Sequence, residues 1–327
     1  MFQDWPSRGV LMYAPPTDQV DRFCQFVRDV FVKDGIDTMV LLVRYRYQFE
    51  SHPGCRGVDP ISKADAKKIA DTCRECGIHL IPKMNMLGHQ SNGGSVATEG
   101  ILLEHPEYDE NKGKSTDYCS TICASEPGAM QIMLEMADEM IDAFGADAFH
   151  IGCDEAFELG KCDKCKDTPT AVLYANWVNG IVDHLQARGI EVWMWGDRFL
   201  NAAENDYGKW EASFNGTEGA LQQLRKGVVI CDWHYEDRLR YDSPAIFAKA
   251  GFKVYLCTYS DRNNAKMFLD YAADHDQGNI LGRMETTWYP ASAFMNCYEG
   301  KPVTESIHEP EKLAEVVDCY RYMFEEN

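Results

Sequence analysis

Short apolar runs alternate with longer amphipathic stretches along most of the chain. The apolar runs are rich in aliphatic and aromatic residues, which favour strands, and the longer stretches have the spacing of helices. The predicted strands are residues 9–13, 38–43, 79–84, 146–151, 191–195, 228–232, 253–258 and 280–284. The predicted helices are residues 20–32, 64–76, 129–144, 170–188, 244–250, 264–275 and 311–324. This alternation is typical of a parallel sheet built from βα units.

The two kinds of connection between these elements differ in length and composition. Five predicted helices are each followed within three residues by a glycine, which caps a helix end cheaply: Gly35, Gly77, Gly145, Gly189 and Gly251. Four connections after strands are long and rich in polar residues: 44–60, 85–127, 152–169 and 196–219. In a (β/α)8 barrel the loops after the strands build the active site, so the asymmetry predicts where the chemistry lies.

The predicted fold is therefore a single (β/α)8 TIM barrel of the α/β class, occupying residues 1–327 as one catalytic domain. Barrels of this kind occupy about 250 residues and more as one unit. The chain has no linker-like or low-complexity tract that would mark a second domain. The alternative is a doubly wound open sheet, but neither a Gly-x-Gly-x-x-Gly motif nor a P-loop follows a predicted strand.

Net charge limits the classes of binding partner, and the cysteine content predicts the redox state of the thiols. The formal net charge of −20, from 52 acidic and 32 basic residues, argues against nucleic acid or an anionic membrane as partner, whereas a neutral sugar is compatible with it. No signal-type or membrane-spanning apolar segment is present, so we expect a cytoplasmic protein. Thirteen scattered cysteines predict reduced thiols. Of two Cys-x-x-Cys pairs, Cys73/Cys76 reads as buried helix residues, and Cys162/Cys165 lies in a loop as part of a candidate metal site with incomplete ligands.

The end of the fourth predicted strand carries two adjacent carboxylates, Asp154 and Glu155. A pair of this kind suits acid catalysis, because the charge on one carboxylate raises the pKa of the other and keeps it protonated. The alternative is an acidic pair at a helix N-terminus, with Ala156, Phe157 and Leu159 continuing as a helix. Residue types and spacing alone leave both interpretations open.

Residues 150–155, His-Ile-Gly-Cys-Asp-Glu, resemble the His-x-Gly-x-Asp-Glu signature of family 20 glycoside hydrolases, the β-N-acetylhexosaminidases. Three further motifs resemble the family in the same order along the chain: Arg8-Gly9, Gly88-His89 and Trp195-Gly196-Asp197. Cys153 and the sequence Glu-Leu-Gly at 158–160 are similar to the compact, hexosaminidase D-like branch of the family. The resemblance implies the barrel fold and a glycosidase activity.

The activity that the resemblance implies is hydrolysis of terminal β-linked GlcNAc or GalNAc from a glycoside or glycoconjugate. Glu155 would act as general acid and base, and Asp154 would hold the substrate's 2-acetamido group, whose carbonyl attacks the anomeric carbon. No cofactor and no catalytic metal is implied. The expected substrate-binding residues are Arg8, His89, Trp195, Asp197, Trp233, Tyr235, Tyr259, Asp261 and Trp288.

Several of these roles have alternatives. Tyr259-Ser260-Asp261 resembles the family's Tyr-x-Asp motif, in which the tyrosine binds the acetamido carbonyl, but Tyr235 competes for that role. Asp197 binds hydroxyls or pairs with Arg198. Tyr13 stands near the end of the first strand, where the family has an acid, which puts the role of Arg8 in doubt.

Two other functions compete with the hydrolase. One is a sugar-binding barrel without catalysis, although a binding protein has no need of the proton donor Glu155. The other is a metal-dependent hydrolase with His89, His150 and Asp154 as ligands. Compact members of the family include chains whose pocket is completed by a neighbouring copy, so a homodimer stays open.

Overall fold

The structure is a computed structural model that describes residues 3, 5–91, 98–112, 114, 116 and 118–324. In this part of the chain, parallel strands follow one another in sequence order around a closed barrel. The strands are β1 (Ser7–Tyr13), β2 (Thr38–Leu42), β3 (His79–Lys83), β4 (Ala148–His150), β5 (Glu191–Trp195), β6 (Val228–Trp233), β7 (Lys253–Thr258) and β8 (Ile280–Thr286). The predicted (β/α)8 barrel is confirmed.

The barrel closes where β1 pairs with β8, with Arg8 opposite Arg283 and Leu11 opposite Thr286. On its other side β1 pairs with β2, with Gly9 opposite Thr38. Gly9 leaves room for the ring of Tyr255, whose hydroxyl would lie 2.9 Å from a Cβ at that position. An aromatic side chain therefore fills the interior next to the start of β1.

Helices surround the barrel and also occur in the loops. They are α1 (Val20–Phe26), α2 (Lys63–Glu75), α3 (Ile101–Glu104), α4 (Pro127–Phe144), α5 (Thr170–Ala187), α6 (Ala202–Asn205), α7 (Ser243–Lys249), α8 (Arg262–Asp274), α9 (Ala291–Tyr298) and α10 (Pro310–Phe324). The helix predicted over residues 20–32 continues from α1 as a π-helical turn, Val27–Phe31. Short 3₁₀ helices are Thr17–Gln19, Pro53–Cys55, Pro106–Tyr108, Asp197–Phe199 and Thr217–Gln223. None of the helices in the described ranges is long and apolar enough to cross a membrane.

Apolar side chains form two layers, one between the sheet and the helices and one inside the barrel. Strand alternation sends every second residue inward. The inner layer consists of Leu11, Val40, Ile81, Ala148, Trp193, Trp195, Val229, Cys231, Trp233, Tyr255, Cys257 and Met284. Because Trp195 and Trp233 lie at the carboxyl ends of their strands, the inner layer ends in indole rings at that rim.

The five glycines predicted to end helices all have a left-handed backbone, with φ between +59° and +81°. They keep the connections on that side of the barrel short. The connections after β2, β3, β4 and β5 are long, as the sequence predicts, and they meet over the carboxyl ends of the strands. The functional loops are therefore gathered at one rim.

Candidate active site

The loop after β4 holds the two adjacent carboxylates in an extended turn. Gly152, Cys153 and Glu155 have φ angles of +69°, +66° and +46°, and such a backbone costs a residue other than glycine about 1–3 kcal/mol. The next α-helix begins only at Thr170. The interpretation of Asp154 and Glu155 as the first turn of a helix is therefore wrong, and the strained backbone directs both side chains toward the rim.

His89 lies between the two carboxylates. Its Nε2 is 3.0 Å from Asp154 Oδ2 and 3.1 Å from Glu155 Oε2. Gly88 permits this approach, because a Cβ at that position would lie only 2.7 Å from the carbonyl oxygen of Asp154. The loop after β3 and the loop after β4 therefore meet at this point.

Burial and charge give the three groups different ionisation behaviour. Burial opposes a charge on His89, but the Asp154 and Glu155 carboxylates outweigh burial and raise the pKa of His89 well above its usual value. Burial also opposes a charge on Asp154, but His89 and Lys83 outweigh it and hold the pKa of Asp154 well below its usual range. Burial raises the pKa of Glu155, and the negative charges of Asp154 and Asp197 add to this rise, while His89 opposes it. The direction expected for Glu155 is found, but burial rather than Asp154 is its main cause.

Lys83, at the end of β3, is a buried cation that the sequence analysis missed. It is 1% exposed, its Nζ donates to Asn85 Oδ1, and it lies 5.6 Å from the centre of the Trp195 ring. Burial lowers the pKa of Lys83 to about 8, although Asp154 opposes this change. A cation at this position favours the ionised form of Asp154.

Three tryptophans form one wall beside the carboxylates. Trp195, Trp233 and Trp288 line a cavity of about 570 Å3 together with Asp154 and Glu155. The rings of Trp195 and Trp288 lie 5.6 Å apart at their centroids. Indole rings can stack on the apolar face of a sugar or enclose a methyl group. The structure thus brings together the three tryptophans that the sequence indicated.

Two tyrosines line the same cavity, Tyr235 and Tyr259, with ring centroids 5.2 Å apart. Trp288 Nε1 donates to the Tyr235 hydroxyl at 3.0 Å. The Thr286 hydroxyl donates to the carbonyl oxygen of Thr258, so at 2.9 Å it accepts a hydrogen bond from Tyr235. The Tyr235 hydroxyl is therefore fixed within the tryptophan wall.

A second cavity, of about 480 Å3, adjoins the first and shares Asp154, His89 and Tyr259 with it. Its further polar lining includes Tyr13, Arg44, Lys83, Asn85 and Glu309. Arg44 donates to the carbonyl oxygen of His89 at 2.8 Å. The two cavities form one cleft around Asp154, with an aromatic side and a polar side.

Five other lining residues were not found from the sequence; four of them lie in loops, and Lys312 lies at the start of α10. They are Tyr118, Trp210, Glu211, Glu309 and Lys312. Tyr118 packs against both His89 and Trp210, with ring centroids 5.5 and 4.9 Å away. Loop residues of this kind have no periodic spacing, so only their aromatic character could have drawn attention to them.

Asp197 lies behind the wall of the cleft rather than in it. Its Oδ2 accepts from the backbone N–H of Glu155 at 3.0 Å and from Arg198 Nε, and its Oδ1 accepts from Trp233 Nε1 at 3.4 Å. It is 2% exposed. The expectation that Asp197 binds substrate hydroxyls is therefore corrected: its oxygens hold Glu155 and Trp233 in position, and it pairs with Arg198 as the alternative proposed.

Arg8 and Asp261 also lie away from the cleft, which corrects their assignment as substrate-binding residues. Arg8 is near the start of β1, and five residues at about 3.3 Å each separate it from Tyr13, the residue of this strand that lines the cleft. Asp261 is an exposed N-cap of α8, where its side chain accepts from the backbone N–H groups of Asn263 and Asn264.

His150 does not join the ligand set expected for a metal-dependent hydrolase. Its Nδ1 accepts from the backbone N–H of Gly152 at 3.0 Å, and burial lowers its pKa well below the usual value. Among the described residues that line the cleft, the group with atoms close enough to share a cation is His89, Asp154 and Glu155. The expected combination with His150 is therefore not assembled.

Comparison with known proteins accounts for this arrangement. The family model for the glycosyl hydrolase family 20 catalytic domain matches residues 41–316. The chain belongs to glycosyl hydrolase family 20. The resemblance that residues 150–155 indicated is thus confirmed, and the adjacent carboxylates of this family 20 chain lie in the loop that follows β4.

Solved structures with the same fold include other members of family 20. A chitobiase from Flavobacterium johnsoniae has a TM-score of 0.67 and 19% identity, covering 99% of this chain and 52% of the chitobiase chain. A β-N-acetylhexosaminidase from Bacteroides fragilis has a TM-score of 0.64 and 16% identity, covering 98% and 71% of the two chains. These similarities show the fold.

A curated relative is lacto-N-biosidase from Bifidobacterium bifidum, 22% identical over 200 residues. The match covers 57% of this chain and 17% of the biosidase. The chain therefore spans about half of the chitobiase and a smaller part of the biosidase. The barrel fold is what this family 20 chain shares with the two solved structures.

Proposed function

We propose that the protein is an exo-acting β-N-acetylhexosaminidase that releases terminal β-linked GlcNAc or GalNAc by retaining, substrate-assisted catalysis. The observation that carries this proposal is Asp154 Oδ1, which is buried and has no hydrogen-bond partner among the described residues. An unpaired buried acceptor of this kind is costly. The N–H of a 2-acetamido group would satisfy it. A 2-hydroxyl could also donate to it, but it has no carbonyl oxygen to attack the anomeric carbon.

Asp154 and Glu155 have separate roles in this reaction. The acetamido carbonyl oxygen attacks the anomeric carbon while Glu155 gives its proton to the glycosidic oxygen, so the aglycone leaves as an alcohol. The product of this step is a bicyclic oxazolinium ion, and the anionic Asp154 stabilises its positive charge. Glu155, now a carboxylate, then removes a proton from the water that opens the ring. The configuration of the sugar is retained.

The distance between the carboxylates argues against an inverting reaction in which Asp154 activates the water. The polar atoms of His89, Asp154 and Glu155 that face one another all lie within 4.8 Å. An inverting pair needs carboxyl groups about 6.5–9.5 Å apart, to leave room for a water molecule. Two carboxylates this close leave no such space.

Tyr235 is the tyrosine that we assign to the acetamido carbonyl, because its ring lines the cleft beside Trp195, Trp233 and Trp288. Its hydroxyl has one proton, which would turn from Thr286 Oγ1 to the acetamido carbonyl when substrate binds. We expect Tyr235→Phe to lower kcat by about 10²-fold, the loss that follows removal of one donor to a reacting oxygen. Tyr259→Phe should affect kcat less, since Tyr259 lies toward the polar side of the cleft. Steady-state kinetics on an aryl N-acetyl-β-glucosaminide measure both, and a larger loss in Tyr259→Phe would reverse the assignment.

The test of the function is hydrolysis of 4-nitrophenyl β-glycosides of GlcNAc, GalNAc and glucose by wild type and by Glu155→Gln. We expect release of nitrophenol from the N-acetyl sugars and not from the glucoside, with loss of release in the variant. Equal cleavage of the glucoside would require an enzyme nucleophile in place of the acetamido group. No cleavage of any of the three would favour a sugar-binding barrel.

The pH dependence follows from the two carboxylates. Asp154 must be ionised, and its lowered pKa puts the acid limb of kcat/KM below the value of about 4 of a free aspartate. Glu155 must carry a proton, so activity is lost as pH rises through its raised pKa, and the basic limb lies above the value of about 4.3 of a free glutamate. We therefore expect a bell-shaped profile whose limbs belong to the interacting pair.

A variant of His89 tests the origin of the basic limb. The positive charge of His89 lowers the pKa of Glu155, so His89→Gln should move the basic limb to higher pH. The measurement is kcat/KM against pH for both proteins with the same aryl substrate. A basic limb that stays in place or moves to lower pH would show that Glu155 does not control it.

A further inference from the structure

Two loops at the rim of the barrel meet a second time, farther along each loop than the contact between His89 and Glu155. The loop after β3, which carries His89, also carries Glu110 and Cys123. The loop after β4, which carries Glu155, continues to Cys162 and Cys165. The first of these loops folds back so that residues distant in sequence come together beside the start of α5.

Four side chains with metal-binding atoms converge there, and we call Glu110, Cys123, Cys162 and Cys165 the Cys3Glu cluster. One ligand atom from each lies within 4.8 Å of the other three. All four residues are buried, with exposures of 2%, 2%, 7% and 0% in the order given. Cys123 Sγ lies 3.4 Å from Cys162 Sγ and 3.5 Å from Cys165 Sγ.

The carboxylate of Glu110 is oriented by the opposite loop. Its Oε1 accepts three backbone N–H groups, those of Gly160, Lys161 and Cys162, at 2.9, 2.8 and 3.1 Å. Its Oε2 is buried and has no hydrogen-bond partner among the described residues. A carboxylate held by one oxygen and unpaired at the other presents that second oxygen as a ligand.

We propose that the Cys3Glu cluster binds one structural zinc ion, which joins the loop after β3 to the loop after β4. Zinc prefers four ligands in a tetrahedron, and structural sites use thiolates with Zn–S distances of about 2.3 Å. Such distances put two sulfurs about 3.8 Å apart, so the cluster needs to open by only a few tenths of an ångström. Soft thiolates select zinc over magnesium or calcium.

The surroundings of the cluster offset its negative charge. Three thiolates and one carboxylate around a divalent ion leave two negative charges, and lysines surround them in a protein whose net charge is −20. A cavity of about 420 Å3 that reaches Glu110 and Cys162 is lined by three lysines, Lys112, Lys114 and Lys161, and by two further acids, Glu158 and Asp163. This cavity provides an entry path for an ion. Ser125 Oγ lies 3.2 Å from Cys165 Sγ, where it can donate to a thiolate.

A disulfide is the competing use of the same cysteines. A bond between Cys123 and Cys162 would require their sulfurs to approach from 3.4 Å to about 2.05 Å. It would also leave Cys165 and the unpaired oxygen of Glu110 without a role. The zinc ion uses all four groups, and for that reason the cluster is better explained by metal than by oxidation.

The experiment measures zinc in the untagged full-length protein, purified under reducing conditions after growth with zinc. Elemental analysis after gel filtration should give about one zinc per chain. Replacement of the zinc by cobalt should produce a sulfur-to-metal charge-transfer band and the visible bands of a tetrahedral ion. Because this spectrum is read from wild type, it does not depend on any variant folding, and it is independent of glycosidase activity.

Variants assign the metal to the cluster. Cys165→Ser and Glu110→Gln should each lose most of the zinc, and the glutamine keeps an acceptor for the three N–H groups. Cys76→Ser is the matched control, because Cys76 belongs to the other Cys-x-x-Cys pair, follows α2 and is partly exposed. A chelator should lower the unfolding temperature of wild type and of Cys76→Ser more than that of Cys165→Ser.

Other outcomes would overturn the proposal. Wild type without zinc, with thirteen thiols titrated after denaturation, would mean a cluster of reduced cysteines. Two fewer thiols than thirteen would mean a disulfide. Zinc retained equally in Cys165→Ser and Glu110→Gln would mean that the metal binds elsewhere.

Discussion

Glu155→Gln is expected to lower kcat on an aryl N-acetyl-β-glucosaminide by about 10²–10⁴-fold, the usual contribution of a general acid. The amide has nearly the same shape but cannot give a proton to the glycosidic oxygen. Asp197 holds the loop through the backbone N–H of Glu155 and not through the Glu155 side chain. The loop should therefore keep its conformation in the variant. Steady-state kinetics on the purified variant measure the loss of kcat, and circular dichroism tests whether the fold is unchanged.

The dependence on leaving group separates loss of the proton from loss of the pocket. A phenol of low pKa leaves without being protonated. From the glycoside of such a phenol, Glu155→Gln should therefore form the oxazolinium intermediate nearly as fast as wild type does. A damaged pocket would slow all substrates alike. Glu191→Gln is the matched control, since Glu191 is exposed at the start of β5, at the far end of the barrel, and should leave kinetics unchanged.

Asp154→Asn is expected to lower kcat/KM by about 10²–10³-fold, because it removes the charge that faces the positive oxazolinium ion. It also leaves the buried Lys83 and His89 without their counter-ion, so we expect a lower unfolding temperature. Kinetics should therefore be measured well below the unfolding transition. Asp147→Asn is the control, since Asp147 is exposed just before β4 and pairs with His79.

A stable analogue of the intermediate distinguishes the two carboxylates. A thiazoline fused to the sugar ring mimics the bicyclic oxazoline and carries no leaving group. Glu155→Gln should bind it as wild type does, whereas Asp154→Asn should bind it much more weakly. Calorimetry provides the measurement. Equal affinity in both variants would contradict the separate roles given to Asp154 and Glu155.

The barrel could be predicted from the sequence because the same pattern, an apolar run followed by an amphipathic stretch, is repeated in successive βα units. The apolar runs predict the strands to within a few residues, and the positive φ angles of Gly35 and Gly77 agree with their position after helices. Asp154 and Glu155 could be found because adjacent carboxylates after an apolar strand are costly without a use. His89 followed from the motif, but its contact with both carboxylates depends on how two loops meet.

Three residues predicted to bind substrate, Arg8, Asp197 and Asp261, lie outside the cleft. The reasons are the position of a residue along its strand and competing hydrogen bonds. Arg8 was assigned by its motif alone, yet a residue at the start of a strand lies at the opposite end of the barrel from the strand's carboxyl end. Asp261 and Asp197 are acids after strands, as binding residues often are, but a helix N-terminus and Arg198 use their oxygens. No residue pattern shows which partner an acid will find.

Some residues of the cleft and of the Cys3Glu cluster could not be predicted from periodic spacing. Lys83 interrupts an apolar strand and could have been noticed as a buried charge near Asp154. Tyr118 and Trp210 belong to long loops, where spacing carries no information about burial. Glu110 stands in a run of polar residues, and its two roles depend on a loop that follows it by some fifty positions.

The three hydrogen bonds from the loop after β4 to Glu110 affect the design of chimeras in which loops are exchanged between family 20 barrels. Glu110 is buried, and a chimera that received only the loop after β3 would contain its carboxylate without the N–H groups that satisfy it. An unpaired buried charge costs several kcal/mol. The two loops therefore form one transferable unit, and an exchange between such barrels preserves this contact only when both are moved together.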